Sequence, residues 1–190
     1  MRKLKLQMQI SIDGFVATGP DDEQKWITWA WEEIKSYVLE LNTTADTMII
    51  GRKLAVDFIP HWNNVVNKPT DPMFELARLI TGFRKINFSN TLDKVQWNNT
   101  ELAKGDLVKE LKRLKGENGK DIMVVGGSSF VSSLIKQGLI DEFHLFVNPV
   151  VIGKGVPIFD QLENFRKLKL NQSITYNSGI VLLNYSYQGK

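Results

Sequence analysis

The chain has 190 residues, of which 43% are hydrophobic and 24% are charged, and it contains no cysteine. This length suits one domain over residues 1–190, and the lack of cysteine excludes disulfides, thiolate metal sites and a cysteine nucleophile. The 24 Lys and Arg exceed the 21 Asp and Glu by 3, too few to indicate a nucleic-acid binder. No apolar run approaches the roughly 20 residues of a membrane span, so we expect a cytoplasmic protein.

Short apolar strands alternate with amphipathic segments along the first half of the chain. Apolar residues fill every second position over 4–12, a pattern typical of a strand with one buried face. Apolar residues recur at three- and four-residue spacing over 24–41, which predicts a helix. Three tryptophans fall within six positions there, and we expect at least one to line a cleft or an interface. Strands are predicted at 47–50 and 85–89, with a less clearly defined helix between them.

The second half continues the alternation and ends in strands. Residues 106–114 form an amphipathic helix, 122–125 an apolar strand, and a second helix opens at Ser128 and stops before Gly138. The last strands are predicted at 143–152 and within 168–187. This order predicts a mainly parallel sheet covered by helices, with antiparallel strands at the C-terminal side.

Two strand ends have residues that are suited to bind an anion. Gly126 and Gly127 follow the strand at 122–125, and because they lack Cβ atoms, backbone N–H groups and a helix start can approach an anion. Gly51 follows the strand at 47–50 and precedes Arg52 and Lys53, two cations suited to phosphate. Each end alone is also compatible with a turn that binds nothing. Two such ends in one sheet favour an extended, multiply phosphorylated ligand at the carboxyl ends of the strands.

Five pieces of the chain, spread between about Lys3 and Tyr187, form a recognisable set. They are Ser11–Ala17, Ile50–Arg52, Val125–Gly127, Gly138–Glu142 and Asn148–Phe159. Together they resemble the dihydrofolate reductase superfamily, and more closely its branch with the C-terminal reductase domain of riboflavin-biosynthesis protein RibD. The last two pieces are the most specific. The resemblance implies an α/β fold, a three-layer sandwich around a mostly parallel eight-stranded sheet with antiparallel C-terminal strands.

The resemblance also implies an enzyme. It would transfer hydride from NADPH, or alternatively NADH, to a C=N or C=O bond of a small pyrimidine- or pterin-like metabolite. The family's reference reaction reduces 5-amino-6-(5-phosphoribosylamino)uracil in riboflavin biosynthesis. Two alternatives stay open: a non-catalytic NADPH-binding module that acts as a sensor or partner-binding protein, and a true dihydrofolate reductase.

The family pattern supplies a set of cofactor contacts. They are Val16, Ala17, Gly51, Arg52, Lys53, Ser89, Asn90, Val125, Gly126, Gly127, Ser128, Ser129 and Phe130. In that pattern Val16 and Ala17 flank the nicotinamide, whereas Ser89 and Asn90 lie near the adenosine ribose. The chain departs from the pattern at Leu54, where family members carry threonine, and at Asn90, where many carry an arginine for the 2′-phosphate.

Compensation for that missing arginine is expected from nearby cations, namely Arg52, Lys53, Arg84 or Lys85.

The proton donor is one of two neighbouring acids. Glu32 and Glu33 are nearest to the position where folate reductases carry a carboxylate, and only one can face a cleft, because helix neighbours point about 100° apart. Solvation of both is the alternative. Trp29 or Trp31 is expected to stack on a planar ring, so the catalytic candidates are Glu33, Glu32 and Trp29.

Two further expectations concern partners. We expect no metal site, because the two histidines are far apart and no cysteine accompanies them. We expect a homodimer, as is common in the family, with the apolar strand residues Phe143, Leu145 and Val147 and the segment 150–152 covering the subunit contact.

Overall fold

The structure, a computed structural model, describes residues 1–19 and 21–188. Its contacts divide the chain into two compact units: unit 1 comprises residues 1–3 and 35–127, and unit 2 comprises residues 4–34 and those from 128 onward. The single domain over residues 1–190 stays a prediction. The helices are α1 (Trp31–Thr43), α2 (Arg52–Val65), α3 (Phe74–Gly82), α4 (Leu107–Gly116) and α5 (Ser128–Lys136). The strands are β1 (Leu4–Ser11), β2 (Phe15–Ala17), β3 (Ala45–Gly51), β4 (Arg84–Phe88), β5 (Thr100–Ala103), β6 (Asp121–Val124), β7 (Glu142–Asn148), β8 (Val156–Pro157), β9 (Leu168–Thr175) and β10 (Val181–Tyr187).

Eight of these strands belong to one mostly parallel sheet. Unit 1 contributes the order β5-β4-β3-β6, in which every neighbouring pair is parallel. Unit 2 contributes the order β1-β7-β10-β9, in which β7 is parallel to β1 and β10 is antiparallel to both of its neighbours. The remaining strands, β2 and β8, pair with each other. The predicted eight-stranded sheet with antiparallel C-terminal strands is thereby confirmed.

Helix α1 is shorter than the sequence predicts. It begins at Trp31 rather than at Gln24. The backbone of Trp29 has a φ of +51°, which is outside the helical region. The N–H of Thr28 donates to the buried side-chain oxygen of Asn148 at 2.9 Å. The apolar spacing before Trp31 therefore belongs to a folded loop.

Other element boundaries differ where local signals compete. The region between β3 and β4 holds two helices, α2 and α3, where the sequence indicates at most one. The short strand β5 is missing from the prediction, because its four residues alternate only weakly between buried and exposed. Strand β7 ends at Asn148 and not at residue 152, since Pro149 has no N–H to extend the ladder.

Helices α4 and α5 begin where their sequences predict, but α4 continues two residues past the predicted end at Leu114 and includes Gly116. The carboxylate of Asp106 accepts a hydrogen bond from the N–H of Lys109 at 2.7 Å and caps α4. Gly138 follows α5 with a φ of +64°, and the N–H of Gly138 donates to Ile135. The guanidinium of Arg166 donates to the last carbonyls of α5, with 3.1 Å to the oxygen of Ile135.

Two residues expected at a subunit contact lie inside unit 2 instead. Phe143 and Leu145 are buried, and the ring of Phe143 lies 5.5 Å from that of Tyr187, centroid to centroid. Val151 is 66% exposed, and Ile12, whose N–H donates to the carbonyl of the residue before Val151, is 63% exposed. These two apolar side chains are therefore available for a subunit contact, and the homodimer stays a prediction.

An ion pair between a buried arginine and a partly exposed carboxylate holds the start of the chain in unit 1. The side chain of Arg2 is 4% exposed, and its guanidinium donates to the carboxylate of Asp46 and to the hydroxyl of Thr47. The carboxylate of Glu117 lies 3.7 Å from Arg2 and also binds Arg84 at 2.6 Å. The network therefore links the N-terminus to the starts of β3 and β4.

We expect Asp46→Asn to lower the free energy of unfolding by about 2 kcal/mol at neutral pH, because Arg2 then lacks its nearest carboxylate. Burial raises the pKa of Asp46, but hydrogen bonds from Lys120 and Thr47 and the charge of Arg2 bring it below the ordinary 3.8. A lowered pKa stabilises the fold above about pH 4, and this contribution disappears as the pH falls through the folded-state value.

Urea denaturation of both proteins at several pH values measures the effect, and the difference between them should shrink as the solution becomes acidic. Asp93→Asn is the matched control, because Asp93 is 99% exposed in its pair with Lys104 and should contribute almost nothing. Equal free energies of unfolding for the wild type and Asp46→Asn at neutral pH would show that the Arg2–Asp46 pair does not stabilise the fold.

Candidate functional site

The two glycine-ended strands lie side by side in unit 1. Strands β3 and β6 are parallel neighbours, with Met48 opposite Met123, so both end at the same edge of the sheet. Gly126 follows β6 closely enough that a Cβ there would lie 3.0 Å from the Cδ2 atom of Leu54 in α2. The predicted neighbourhood of Gly51 and Gly126 is therefore present.

The amide groups at this edge are suited to an anion. Gly51 is the N-cap residue of α2. Because glycine has no side chain to accept a hydrogen bond, no N-cap side chain binds the first N–H groups of the helix. Arg52 and Lys53 occupy the first two helical positions and are exposed. Gly127 has a φ of +77°, a conformation that favours glycine. The edge therefore combines uncapped amides with two cations.

Helix α5 opens directly after this turn. Ser128 is its first residue, and the carbonyl of Ser129 accepts a hydrogen bond from the hydroxyl of Ser133. Ser129 is exposed, while Ser128 and Phe130 are half-buried, as is Val125 before the glycines.

The predicted ribose contacts are engaged within unit 1. The hydroxyl oxygen of Ser89 accepts hydrogen bonds from the N–H groups of Thr91 and Leu92, at 3.2 and 3.0 Å, and Ser89 is 9% exposed. The side-chain oxygen of Asn90 accepts from the N–H of Gly105 at 3.2 Å. Both residues therefore shape the loop after β4.

Two of the four cations expected to compensate for the arginine missing at Asn90 are bound to other groups of the protein. The guanidinium of Arg84 binds the carboxylates of Glu101 and Glu117. The ammonium of Lys85 is 2% exposed and donates to the carbonyls of Thr81 and Phe83, and burial lowers its pKa to about 8. Both side chains are bound to these partners, whereas Arg52 and Lys53 are exposed at the start of α2.

Val16 and Ala17 lie on β2 in unit 2. Val16 is 8% exposed, and Ala17 pairs with Val156 of β8. Gly155, just before β8, has no room for a Cβ, which would collide with the carbonyl oxygen of Ala17. The close approach fixes the loop after β7 against β2.

Asp13 ties the same loop to the end of β1. Its carboxylate accepts hydrogen bonds from the Ser11 hydroxyl at 2.7 Å, from the Ile152 N–H at 3.1 Å and from the Gly153 N–H at 2.6 Å. Asp13 is exposed, and these hydrogen bonds, of which the one from Ser11 has the largest influence, outweigh its desolvation and lower its pKa to about 2. Asp13 lies within Ser11–Ala17, one of the five pieces that resemble the family, but the sequence pattern predicted no role for its side chain.

Asn148 binds the loop that carries Trp26 and Trp29, and the sequence pattern predicted no role for this residue either. Asn148 is fully buried, holds Thr28 and donates to the side chain of Gln9 at 2.8 Å. Trp29 next to Thr28 is 46% exposed, whereas Trp31 is half-buried. Trp29 is thus the tryptophan that presents its ring, as one member of the trio is expected to do.

The structure separates the two acid candidates. Glu32 is exposed, whereas Glu33 is half-buried and accepts a hydrogen bond from the N–H of Ser178 at 3.0 Å. Ser178 lies in the turn between β9 and β10, a segment that carries no recognisable motif. Burial, followed by the negative charge of Glu33, raises the pKa of Tyr176 in the same turn. Glu33 is therefore positioned, and a protonated phenol lies near it.

The described residues offer neither a metal cluster nor a membrane-spanning helix. No group of three or more His, Asp or Glu side chains there could share a metal ion. Over the same residues, no helix combines the length and the apolar character needed to cross a bilayer.

Comparison with known proteins identifies the family. The RibD C-terminal domain model matches residues 2–182. The uncharacterized protein YyaP of Bacillus subtilis is 30% identical over 190 residues, covering 99% of this chain and 96% of that one. Riboflavin biosynthesis protein RibD of Corynebacterium ammoniagenes is 26% identical over 157 residues, which cover 80% of this chain and 44% of that protein. The chain therefore spans less than half of that RibD.

Solved structures show the same fold. The crystal structure of a diaminohydroxyphosphoribosylaminopyrimidine deaminase/5-amino-6-(5-phosphoribosylamino)uracil reductase from Thermotoga maritima superposes with a TM-score of 0.70 at 18% identity. The match covers 98% of this chain and 57% of that one. Because the family model spans nearly the whole sequence, this chain belongs to the RibD C-terminal domain family.

Proposed function

We propose that this protein is a reductase that binds NADPH and transfers its hydride to a C=N or C=O bond of a small heterocyclic metabolite. The observation that carries the proposal is the pair of adjacent parallel strands β3 and β6: β3 ends in Gly51, and Gly126 and Gly127 follow β6 after one residue. Family membership supports the same chemistry.

The residues at the strand ends fit the phosphates of a dinucleotide. Gly126 and Gly127 have no side chain to cover their amides, and the start of α2 is uncapped. Arg52 and Lys53 are the cations left for a 2′-phosphate once Arg84 and Lys85 are committed elsewhere. We therefore favour NADPH over NADH.

Residues of unit 2 are suited to hold the hydride acceptor and to deliver the proton. Bound NADPH supplies the hydride, so the protein must orient the acceptor and deliver a proton. Glu33 is the acid fixed by Ser178, and Trp29 offers an exposed indole on which a flat ring can stack. Val16 and Ala17, fixed by β8, would then contact the nicotinamide.

Calorimetric titration with NADPH and with NADH tests the proposal. We expect both to bind, NADPH more tightly, and the double variant Arg52→Ala, Lys53→Ala to weaken NADPH by about tenfold or more while affecting NADH less. Absence of binding heat with both cofactors would contradict the proposal.

A second measurement separates the enzyme from its alternatives. Loss of 340 nm absorbance with a heterocyclic substrate supports the enzyme, whereas tight NADPH binding without turnover supports the non-catalytic module. Efficient reduction of dihydrofolate would identify a true dihydrofolate reductase.

A further inference from the structure

We propose that Gln9 selects the substrate by donating a hydrogen bond from its side-chain N–H groups to a carbonyl oxygen on the heterocyclic ring. A ring with an amino group in place of that carbonyl is then disfavoured, because two donors would face each other. The inference rests on the proposed function, since it concerns the ring that stacks on Trp29.

Two backbone groups fix the orientation of the Asn148 side chain. Its oxygen accepts a hydrogen bond from the N–H of Thr28 at 2.9 Å, and its nitrogen donates to the carbonyl of Phe146 at 3.2 Å. A backbone N–H can only donate and a backbone carbonyl can only accept, so exchanging the amide oxygen and nitrogen would break both bonds. Asn148 is fully buried, where unmade hydrogen bonds are costly. Its amide therefore has one orientation.

The orientation of Asn148 determines that of Gln9. The Asn148 nitrogen lies 2.8 Å from the side-chain oxygen of Gln9 and donates to it. If the Gln9 amide were reversed, two donors would face each other and this bond would be lost. The Gln9 nitrogen therefore points away from Asn148. Through two side chains, the backbone of Thr28 decides which end of the Gln9 amide is left for a ligand.

The nitrogen of Gln9 is available to a ligand. Gln9 lies on β1, two residues before the strand ends at Ser11, and is half-buried. Within the described part of the chain, its nitrogen has no hydrogen-bond partner and is not fully enclosed. N–H donors that are fixed in direction and unsatisfied suit a carbonyl oxygen and oppose an amino group.

The same hydrogen bonds place Gln9 close to the exposed indole. Asn148 alone joins Gln9 to Thr28, and the next residue, Trp29, is 46% exposed. A ring that stacks on Trp29 can therefore present its edge to Gln9. Stacking accepts many flat rings, since it uses only their faces. A fixed donor at the edge distinguishes among them, because a mismatched ring leaves that donor unpaired.

Two rings that differ at one position test the inference on the full-length protein in the presence of NADP⁺. Pterin carries a carbonyl at C4, where 2,4-diaminopteridine carries an amino group. Quenching of tryptophan fluorescence measures the affinity for each. We expect the wild type to bind pterin more tightly by about tenfold or more. Equal affinities, the opposite preference or no binding of either ring would overturn the inference.

Two variants should reverse this preference by different routes. In Gln9→Glu the carboxylate still accepts from Asn148 but has no donor, so 2,4-diaminopteridine should bind more tightly than pterin by about tenfold or more. In Asn148→Asp the carboxylate accepts from Thr28 but cannot donate to Gln9, so the Gln9 amide turns and presents its oxygen to the ring. Asn148 is thus a positioning residue, and a merely structural role would weaken the binding of both rings equally.

Gln172→Glu is the matched control, because Gln172 is exposed on β9 and its replacement should leave the preference unchanged. Gln9→Glu keeps the test decisive if Asn148→Asp does not fold. A folded variant of Gln9 or Asn148 that still prefers pterin as the wild type does would overturn the inference. Failure of the wild type to bind either reduced nicotinamide would instead contradict the proposed function.

Discussion

Gly127→Ala should weaken NADPH binding by about tenfold or more, equivalent to roughly 1.4 kcal/mol. Gly127 has a φ of +77°, and a side chain in this left-handed region costs about 1–2 kcal/mol, so the turn between β6 and α5 would relax to another conformation. Relaxation turns the backbone amides away from the phosphates that they are proposed to bind. Calorimetric titration of the variant with NADPH measures the loss directly.

The matched control is Gly138→Ala, which imposes similar backbone strain away from the strand ends. Gly138 has a φ of +64°, and a Cβ there would lie 2.7 Å from the Nη1 atom of Arg166. We expect this variant to melt at a lower temperature but to bind NADPH with unchanged affinity. If Gly127→Ala binds NADPH as the wild type does, the glycine pair serves only the packing of Leu54, and phosphate binding must be assigned elsewhere.

The strand ends could be predicted from sequence because their signals are local. A continuous apolar run such as 122–125 followed by two glycines specifies a buried strand and a tight turn without reference to the rest of the chain. The same holds for the capped helix that starts after Asp106. The alternation of strands and helices predicted the parallel sheet, whereas the adjacency of β3 and β6, with β4 and β5 between them in the chain, is known only from the strand pairing.

The reacting end could not be predicted in the same way, because long-range contacts decide it. Periodicity extended α1 back to Gln24, yet Asn148, 120 positions after Thr28, takes the N–H of Thr28. The choice between Glu32 and Glu33 depended on the N–H of Ser178, which lies in a turn without a sequence signal. Partners so far apart in sequence leave no local pattern.

Glu33→Gln should lower turnover by about 100-fold or more, the usual contribution of a general acid, if Glu33 delivers the proton that accompanies hydride transfer. The glutamine side-chain oxygen can still accept the hydrogen bond from the N–H of Ser178, so the position of the side chain is retained while its acidic proton is lost. Affinity for NADPH should stay unchanged, which separates a chemical role from a role in cofactor binding. Steady-state kinetics at 340 nm, paired with calorimetry on the same preparation, measures both quantities.

Glu40→Gln is the control on the same helix, because Glu40 is exposed and lies seven positions further along α1. Glu32→Gln tests the competing assignment: if it removes turnover while Glu33→Gln does not, the proton comes from the exposed acid and the bond to Ser178 is purely structural. Tyr176 provides a further distinction, since its raised pKa keeps the phenol protonated at neutral pH. If Glu33→Gln retains turnover and Tyr176→Phe abolishes it, the phenol must be the donor and Glu33 is not required for the chemistry.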